Sequence, residues 1–245
     1  MKSDKLIIKQ KEKGILEKIK SKYILKNVLD NLEEKKLLYI IKYNKNIKKR
    51  LYIKINDYKK YHELIEIEIK PVNNKYGKFI SFIKDKNYYH IYFNNNKEEI
   101  KRNYINENEN VNIIKIIIDH QVISFKHLFS DCECIESINF KKFYRGDINN
   151  MSSMFSRCSS LKELNLNNFN TNNVKNMSYM FYGCSSLNEL NLNNFNTNNV
   201  KNMRCMFYRC SSLKELNLNN FNTNNVKNMS SMFYECSSLD RKSVV

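Results

Sequence analysis

The chain of 245 residues has no Trp, one Pro and four Gly. So few glycines leave no loop of the kind that cradles phosphate, and no GxSxG turn, HExxH helix or CxxC pair accompanies the four histidines, His62, His90, His120 and His127. Enzyme chemistry is therefore not expected, and no catalytic residue, cofactor or metal is assigned. Cys132 and Cys134 with His127 make the nearest approach to a metal cluster. No apolar run approaches the about 18 residues of a membrane span. The opening residues MKSDKLIIKQKEKG also lack the apolar stretch of a secretory signal. A cytoplasmic location with no membrane span is the expectation.

A disulfide framework is missing too. The seven cysteines are odd in number, and Cys132, Cys158, Cys184, Cys210 and Cys236 fall at one spacing of 26 residues. A small apolar thiol returning at one phase reads as a core position.

The formal net charge of +17 raises nucleic acid or an anionic membrane as partners. The excess is uneven, with 28 basic against 16 acidic residues over 1–123, 4 against 4 over 124–150, and 10 against 5 over 151–245. Lys45, Lys48, Lys49, Arg50, Lys54, Lys59 and Lys60 interleave with Tyr43, Tyr52, Tyr58 and Tyr61, a mixture that suits single strands. A chain rich throughout in Lys, Asn, Ile and Tyr explains the same residues by composition, so nucleic acid is not expected as a partner.

Residues 1–120 read as a small α+β region. Ile24, Leu25, Val28, Leu29 and Leu32, then Leu37, Leu38, Ile40, Ile41 and Ile47, recur at three- and four-residue spacing, which predicts helices over about 23–50. Alternation follows at Leu64–Ile69 and ends at Pro71, opening a β-rich stretch over 63–118. FISFI at 79–83 and YYHIYF at 88–93 read as a hairpin, residues 94–110 as a polar helix-and-loop connector, and NIIKIII at 112–118 as a strand that feeds into the next domain.

What the sequence does hold is a sentence repeated every 26 residues, NMSxMFxxCSSLxELNLNNFNTNNVK, opened by Met151, Met177, Met203 and Met229. A period of this length marks stacked units that bury their apolar faces on one another. A degenerate first unit matches in phase, with Phe125, Leu128, Phe129, Cys132, Ile135, Ile138, Phe140, Phe143 and Ile148. Residues 121–245 thus hold about five units, the last incomplete. Leu161, Leu164 and Leu166 give LxxLxL spacing, repeated at Leu187, Leu190, Leu192 and at Leu213, Leu216, Leu218. Met151, Met154, Phe155 and Cys158 predict a short helix or turn on the opposite wall, and the Asn-rich link supplies side chains to its backbone.

These residues resemble the BspA-type leucine-rich repeats, including the variant common in mycoplasma-type surface proteins, with their MFxxCxSLxxLxLxxFxTxxVxxM sentence, over about residues 124–239. The resemblance implies an α/β leucine-rich-repeat solenoid of 26-residue coils that binds a protein or a cell-surface ligand without catalysis. A surface adhesion protein is the alternative it carries. The candidate interaction surface is the ladder of Glu163, Glu189 and Glu215 with Asn165, Asn191 and Asn217 and with Asn167, Asn193 and Asn219. On the other wall, Tyr179, Tyr182, Tyr208 and Arg209 are added. The phases of Ser153, Tyr179, Cys205 and Ser231, and of Arg157, Gly183, Arg209 and Glu235, vary between copies and are expected to be exposed.

Residues 21–53 are similar in rhythm to an F-box, which implies a substrate receptor of a ubiquitin ligase with Ile24, Val28 and Leu29 facing its partner. Ser21-Lys22-Tyr23 stands in place of the usual Leu-Pro opening, and a helical cap on the first coil is the preferred reading. Asn150, Asn176 and Asn228 open NxS glycosylation acceptors, so sugars there would report a secretory route. The last copy stops at Leu239, and an uncapped coil is an edge open to self-association.

Overall fold

The computed structural model describes residues 18–20, 44–50, 64–81, 86–119, 122–143 and 145–240. The chain divides into two compact units, Met1–His62 and Glu63–Val245. In the first unit Lys45–Arg50 forms α1. Asn44 caps it, with its Oδ1 accepting the Ile47 N–H at 3.0 Å. The predicted helices over 23–43, and with them Ile24, Val28 and Leu29, lie outside the described residues.

The second unit is mostly strand and turn. Ile65–Pro71 forms β1, Gly77–Lys78 β2, Tyr89–Phe93 β3, Tyr104–Ile105 β4, Ile114–Ile118 β5, Ile135–Lys142 β6 and Glu163–Asn165 β7. Five of these make one mixed sheet in the order β3-β5-β1-β6-β7, and β2 pairs with β4 in a second. Only the β6–β7 pairing of the large sheet is parallel. Alternation decides the two faces: Phe93, Ile114, Ile69, Ile138 and Leu164 follow one another across the register and are all buried.

Two expectations for this region are corrected. Residues 79–81 form no strand, 82–85 lie outside the described residues, and β3 pairs with β5 through Ile91↔Ile116 and neighbours. Phe79 and Ile80 are instead fully buried, and Phe79 N–H donates to Asn103 O. Residues 94–110 contain no helix; they turn, with Ile100 bridging Ile91 and Tyr104–Ile105 pairing with β2. β5 forms within the expected run 112–118 ahead of the first coil in sequence, while the strand that pairs with β6 is β1.

From Phe125 onward the copies stack. Phe129, Phe155, Phe181, Phe207 and Phe233 form one column with ring centroids 5.5 to 5.7 Å apart and planes within 11°. Every apolar position aligned in the first degenerate unit is buried, as are Leu161, Leu164, Leu166, Leu187, Leu190, Leu192, Leu213 and Leu216, while Leu218 is half-buried. One core runs from β1 through the last copy.

The opposite wall is built of turns and carries no helix. Met151, Ser153, Phe155 and Arg157 donate their N–H groups forward to the carbonyls of Asn176, Ser178, Met180 and Tyr182 at 2.6 to 2.9 Å. Between them Met154, Ser156 and Cys158 donate to the carbonyl three residues back. A helix would need all of those N–H groups within its own coil. The turns place Ser153, Arg157, Tyr179, Gly183, Cys205, Arg209, Ser231 and Glu235 at φ between 52° and 70°, the left-handed region. Those are the two phases that vary between copies. In the last copy the N–H groups of Met229, Ser231, Phe233 and Glu235 meet no further coil among the described residues.

The start of the stack is covered by the segments that follow β1 and β2. Ser81 donates its N–H to Leu128 O at 2.7 Å and its hydroxyl to Ser130 O at 3.2 Å, so residues 79–81 stand where a preceding coil would supply donors. Val72 N–H likewise reaches Cys134 O.

Candidate interaction surface

The outward residues of the sheet form rows that cross from the antiparallel strands into the repeats. One row reads Tyr92, Lys115, Glu68, Asn139 and Asn165. A second reads Lys70, Ser137 and Glu163; Glu189 and Glu215, at the phase of Glu163 in the later copies, are joined to each other by a parallel bridge. Glu163, Asn165, Asn167, Glu189, Asn191, Asn193, Glu215, Asn217 and Asn219 are all exposed, as the alternation predicts. Two shallow depressions lie on this face. One, of about 380 Å³, is lined by Glu68, Lys70, Ser137, Asn139, Glu163 and Asn165. The other, of about 370 Å³, lies over Glu189, Asn191, Asn193, Glu215 and Asn217.

The three Asn of the strand column are not free side chains. Asn165, Asn191 and Asn217 accept, through Oδ1, the N–H of Asn167, Asn193 and Asn219 at 3.0 Å, closing the turn that follows each strand. Other asparagines are equally committed. Asn194 Nδ2 donates to the carbonyls of Leu166, Asn167 and Phe169, and Asn220 repeats this one coil later. Asn176 Oδ1 accepts the Ser178 N–H and hydroxyl. Thr171 Oγ1 both donates to Asn196 O and accepts its N–H. An irregular coil has many backbone groups without strand partners, and this side-chain set satisfies them.

Charges at the early end of the face are paired. Glu136 lies 2.8 Å from Lys70 Nζ and 3.2 Å from Lys162 Nζ, and these ammoniums, Lys70 foremost, hold its carboxyl below the usual range. Glu66 lies between Lys115 and Lys142, and Glu68 meets Lys141. Beyond them Glu163, Glu189 and Glu215 have no ion-pair partner among the described residues. Sequence reasoning missed this sheet extension and one further column, Lys175, Lys201 and Lys227, all exposed at one phase. Its identity across three copies was the available signal.

On the turn wall Tyr182, Tyr208 and Tyr234 stack at 5.0 Å, and Tyr179 packs beside Tyr182 at 5.8 Å. Arg209 lies over the Tyr208 ring and pairs with Glu235 at 2.6 Å. Desolvation, then the Glu235 carboxylate, raise the Tyr208 phenol. Exposure here is mixed, contrary to expectation: Cys205 is buried, and Ser153, Tyr179 and Gly183 are half-buried because the neighbouring coils flank their backbones.

The thiols are core groups. Cys158, Cys184, Cys210 and Cys236 donate to the carbonyls of Phe129, Phe155, Phe181 and Phe207 at 2.9 to 3.1 Å. Cys132 reaches Ser130 O, and Cys134 donates to Lys78 O. No group of three metal-ligating side chains occurs among the described residues. His90 instead contacts Glu99 at 2.9 Å and Asp119 at 3.6 Å. No helix among them is long and apolar enough to cross a membrane.

This geometry defines a repeat region with a sheet at its early end and recurring polar side chains on its outward strand positions. Residues 123–244 match the family DUF285, described as a Mycoplasma protein of unknown function. The match opens two residues ahead of Phe125 and so takes in the degenerate first unit. Comparison with curated proteins and with solved structures gives no match.

Proposed function

We propose that this chain is a non-enzymatic protein-binding scaffold, and that its coils form a leucine-rich-repeat solenoid of the BspA type. The ligand-bearing surface is the outward strand face. The observation that carries this reading is the recurrence of exposed Glu163, Glu189 and Glu215 at one phase of the coils, the first paired with Ser137 of β6 and the last two bridged to each other, over a packed core. Repeated side chains at the parallel-strand spacing of about 4.8 Å suit an extended or repetitive protein partner, which engages several weak contacts together. Affinity purification with the full chain and with a Glu163→Ala/Glu189→Ala/Glu215→Ala variant tests it. Partners captured by the first and lost by the second support the assignment, and an identical set of captured proteins sinks it.

A further inference from the structure

The coils carry two columns of like charge on different sides. Glu163, Glu189 and Glu215 occupy the strand face, and Lys175, Lys201 and Lys227 follow twelve residues later in each copy. All six side chains are exposed. The lysine column is tied directly from coil to coil, since Lys201 N–H donates to Lys175 O and Lys227 N–H to Lys201 O, each at 2.8 Å. Because both columns ride on the same coils, they share one pitch, about 4.8 Å between parallel neighbours.

Stacked like charges at that spacing repel one another. Elsewhere on this unit the stack relieves such charges internally: Glu136 takes Lys70 and Lys162, and Arg209 takes Glu235 of the next coil. Among the described residues no close ion pair serves either of the two columns, and only Glu163 lies in the field of an opposite charge, Lys70. The two sets are complementary in sign, equal in number and matched in spacing, but they sit on different faces of each coil and so meet only between molecules.

We propose that a second copy of this chain is a partner of the strand face, with Glu163, Glu189 and Glu215 of one copy set against Lys175, Lys201 and Lys227 of the other. Both columns are flanked by exposed amides, Asn165, Asn191 and Asn217 on one side and Asn173, Asn199 and Asn225 on the other. A single exposed ion pair is weak, and a common pitch lets three form together. The two patches differ, so the contact is heterologous: each copy keeps one column free, and lateral assembly continues instead of closing at a dimer. The inference rests on the strand face being an interaction surface and names the chemistry that occupies it.

Sedimentation velocity of the full chain tests this. Species larger than a monomer are expected at low ionic strength and are lost at about 1 M salt, where the screening length falls to about 3 Å. Glu189→Lys alone and Lys201→Glu alone leave a monomer at low salt with unchanged circular dichroism. An equimolar mixture of the two variants associates again, because the reversed charges meet each other. A monomer at low salt overturns the proposal. Association that survives either reversal also overturns it, by placing the contact elsewhere, such as the last described coil. Association that needs added RNA, and that Lys201→Glu abolishes while Glu189→Lys does not, overturns it in favour of a polyanion on the lysine column. A chain that stays monomeric yet loses captured proteins with its glutamates would leave the protein-binding assignment standing.

Discussion

Arg145 and Asp147 form a two-pronged ion pair, Nε to Oδ1 and Nη2 to Oδ2, both at 2.6 Å, with the guanidinium side chain only 4% exposed. The same guanidinium donates from Nη1 to Asp119 O at 2.9 Å and from Nη2 to Val122 O at 2.6 Å. Arg145 therefore ties the end of β5 and the approach to the repeats onto the first coil. Asp147→Ala removes two charge-assisted hydrogen bonds from the buried guanidinium, and because Asp147 itself is half exposed the expected cost is about 1 to 2 kcal/mol. Arg145→Lys cannot rebuild the fork and should recover little of the loss seen with Arg145→Ala. Urea unfolding of the three variants checks both statements.

Burial pushes the thiols of Cys132, Cys158, Cys184 and Cys210 well above their ordinary range, and that of Cys134 to about 11. A folded thiol with a raised pKa keeps its proton after the unfolded chain has released it. Its stabilisation is complete below the unfolded value of about 8.5 and is lost as pH climbs toward the folded value. Stability should therefore fall above about pH 8.5, by about 1.4 kcal/mol per pH unit for each such thiol. Cys184→Ala should flatten the slope of unfolding free energy against pH by one thiol's share. An unchanged slope would show that this thiol titrates alike in both states.

Ser153 holds φ of 54° and Gly183 holds φ of 70°. A left-handed residue with a side chain costs about 1 to 2 kcal/mol relative to one without. A Cβ on Gly183 would meet Arg157 atoms only at 3.6 Å and beyond, so sterics add little there. Gly183→Ala is expected to destabilise by about 1 kcal/mol, and Ser153→Gly to stabilise by a few tenths up to about 1 kcal/mol once the entropy of the unfolded glycine is counted. Thermal unfolding of the pair should move in opposite directions.

Forward donors of one coil match the acceptors of the next in every copy, so a whole unit can be removed without orphaning a bond. Deleting residues 177–202 should give a folded chain with a lower unfolding midpoint, because one interface is gone. Deleting 177–189 breaks the phase and should abolish the cooperative transition. Circular dichroism and urea titration distinguish the outcomes.

The core was legible because burial at Phe155, Cys158, Leu161 and Leu166 recurs with unchanged residues, and apolar-for-apolar replacement extended it back to Phe125. The turn wall was not. Met151, Met154, Phe155 and Cys158 have helical spacing, yet overlapping turns of three residues bury the same positions, and only Gly183 hints at positive φ. The described part of the hairpin expected at 79–93 departs from expectation for a different reason: residues 79–81 form no strand. Adjacency favoured pairing of β3 with 79–83, whereas Ile114, Ile116 and Ile118 offer β3 a fully apolar partner strand far along the chain. The exposed glutamates and asparagines followed directly from strand alternation. That Asn165 is spent on its own turn depends on backbone geometry, which residue type does not reveal.

The forward hydrogen bonds of the turn wall have an electrical consequence. Four N–H groups per coil point toward the later copies, so their peptide dipoles add along the axis as they do in a helix. The turn wall thereby carries a polarity, offset in part by the N–H groups of Lys175, Lys201 and Lys227 that donate backward; it is partially negative where Leu128 and Ser130 present carbonyls and partially positive toward Met229, Ser231, Phe233 and Glu235. Ser81 meets the negative end with an N–H and a hydroxyl, the groups that such a field favours. At the other end the same field favours a carbonyl-bearing edge or an anion, and it opposes the approach of another end of its own kind.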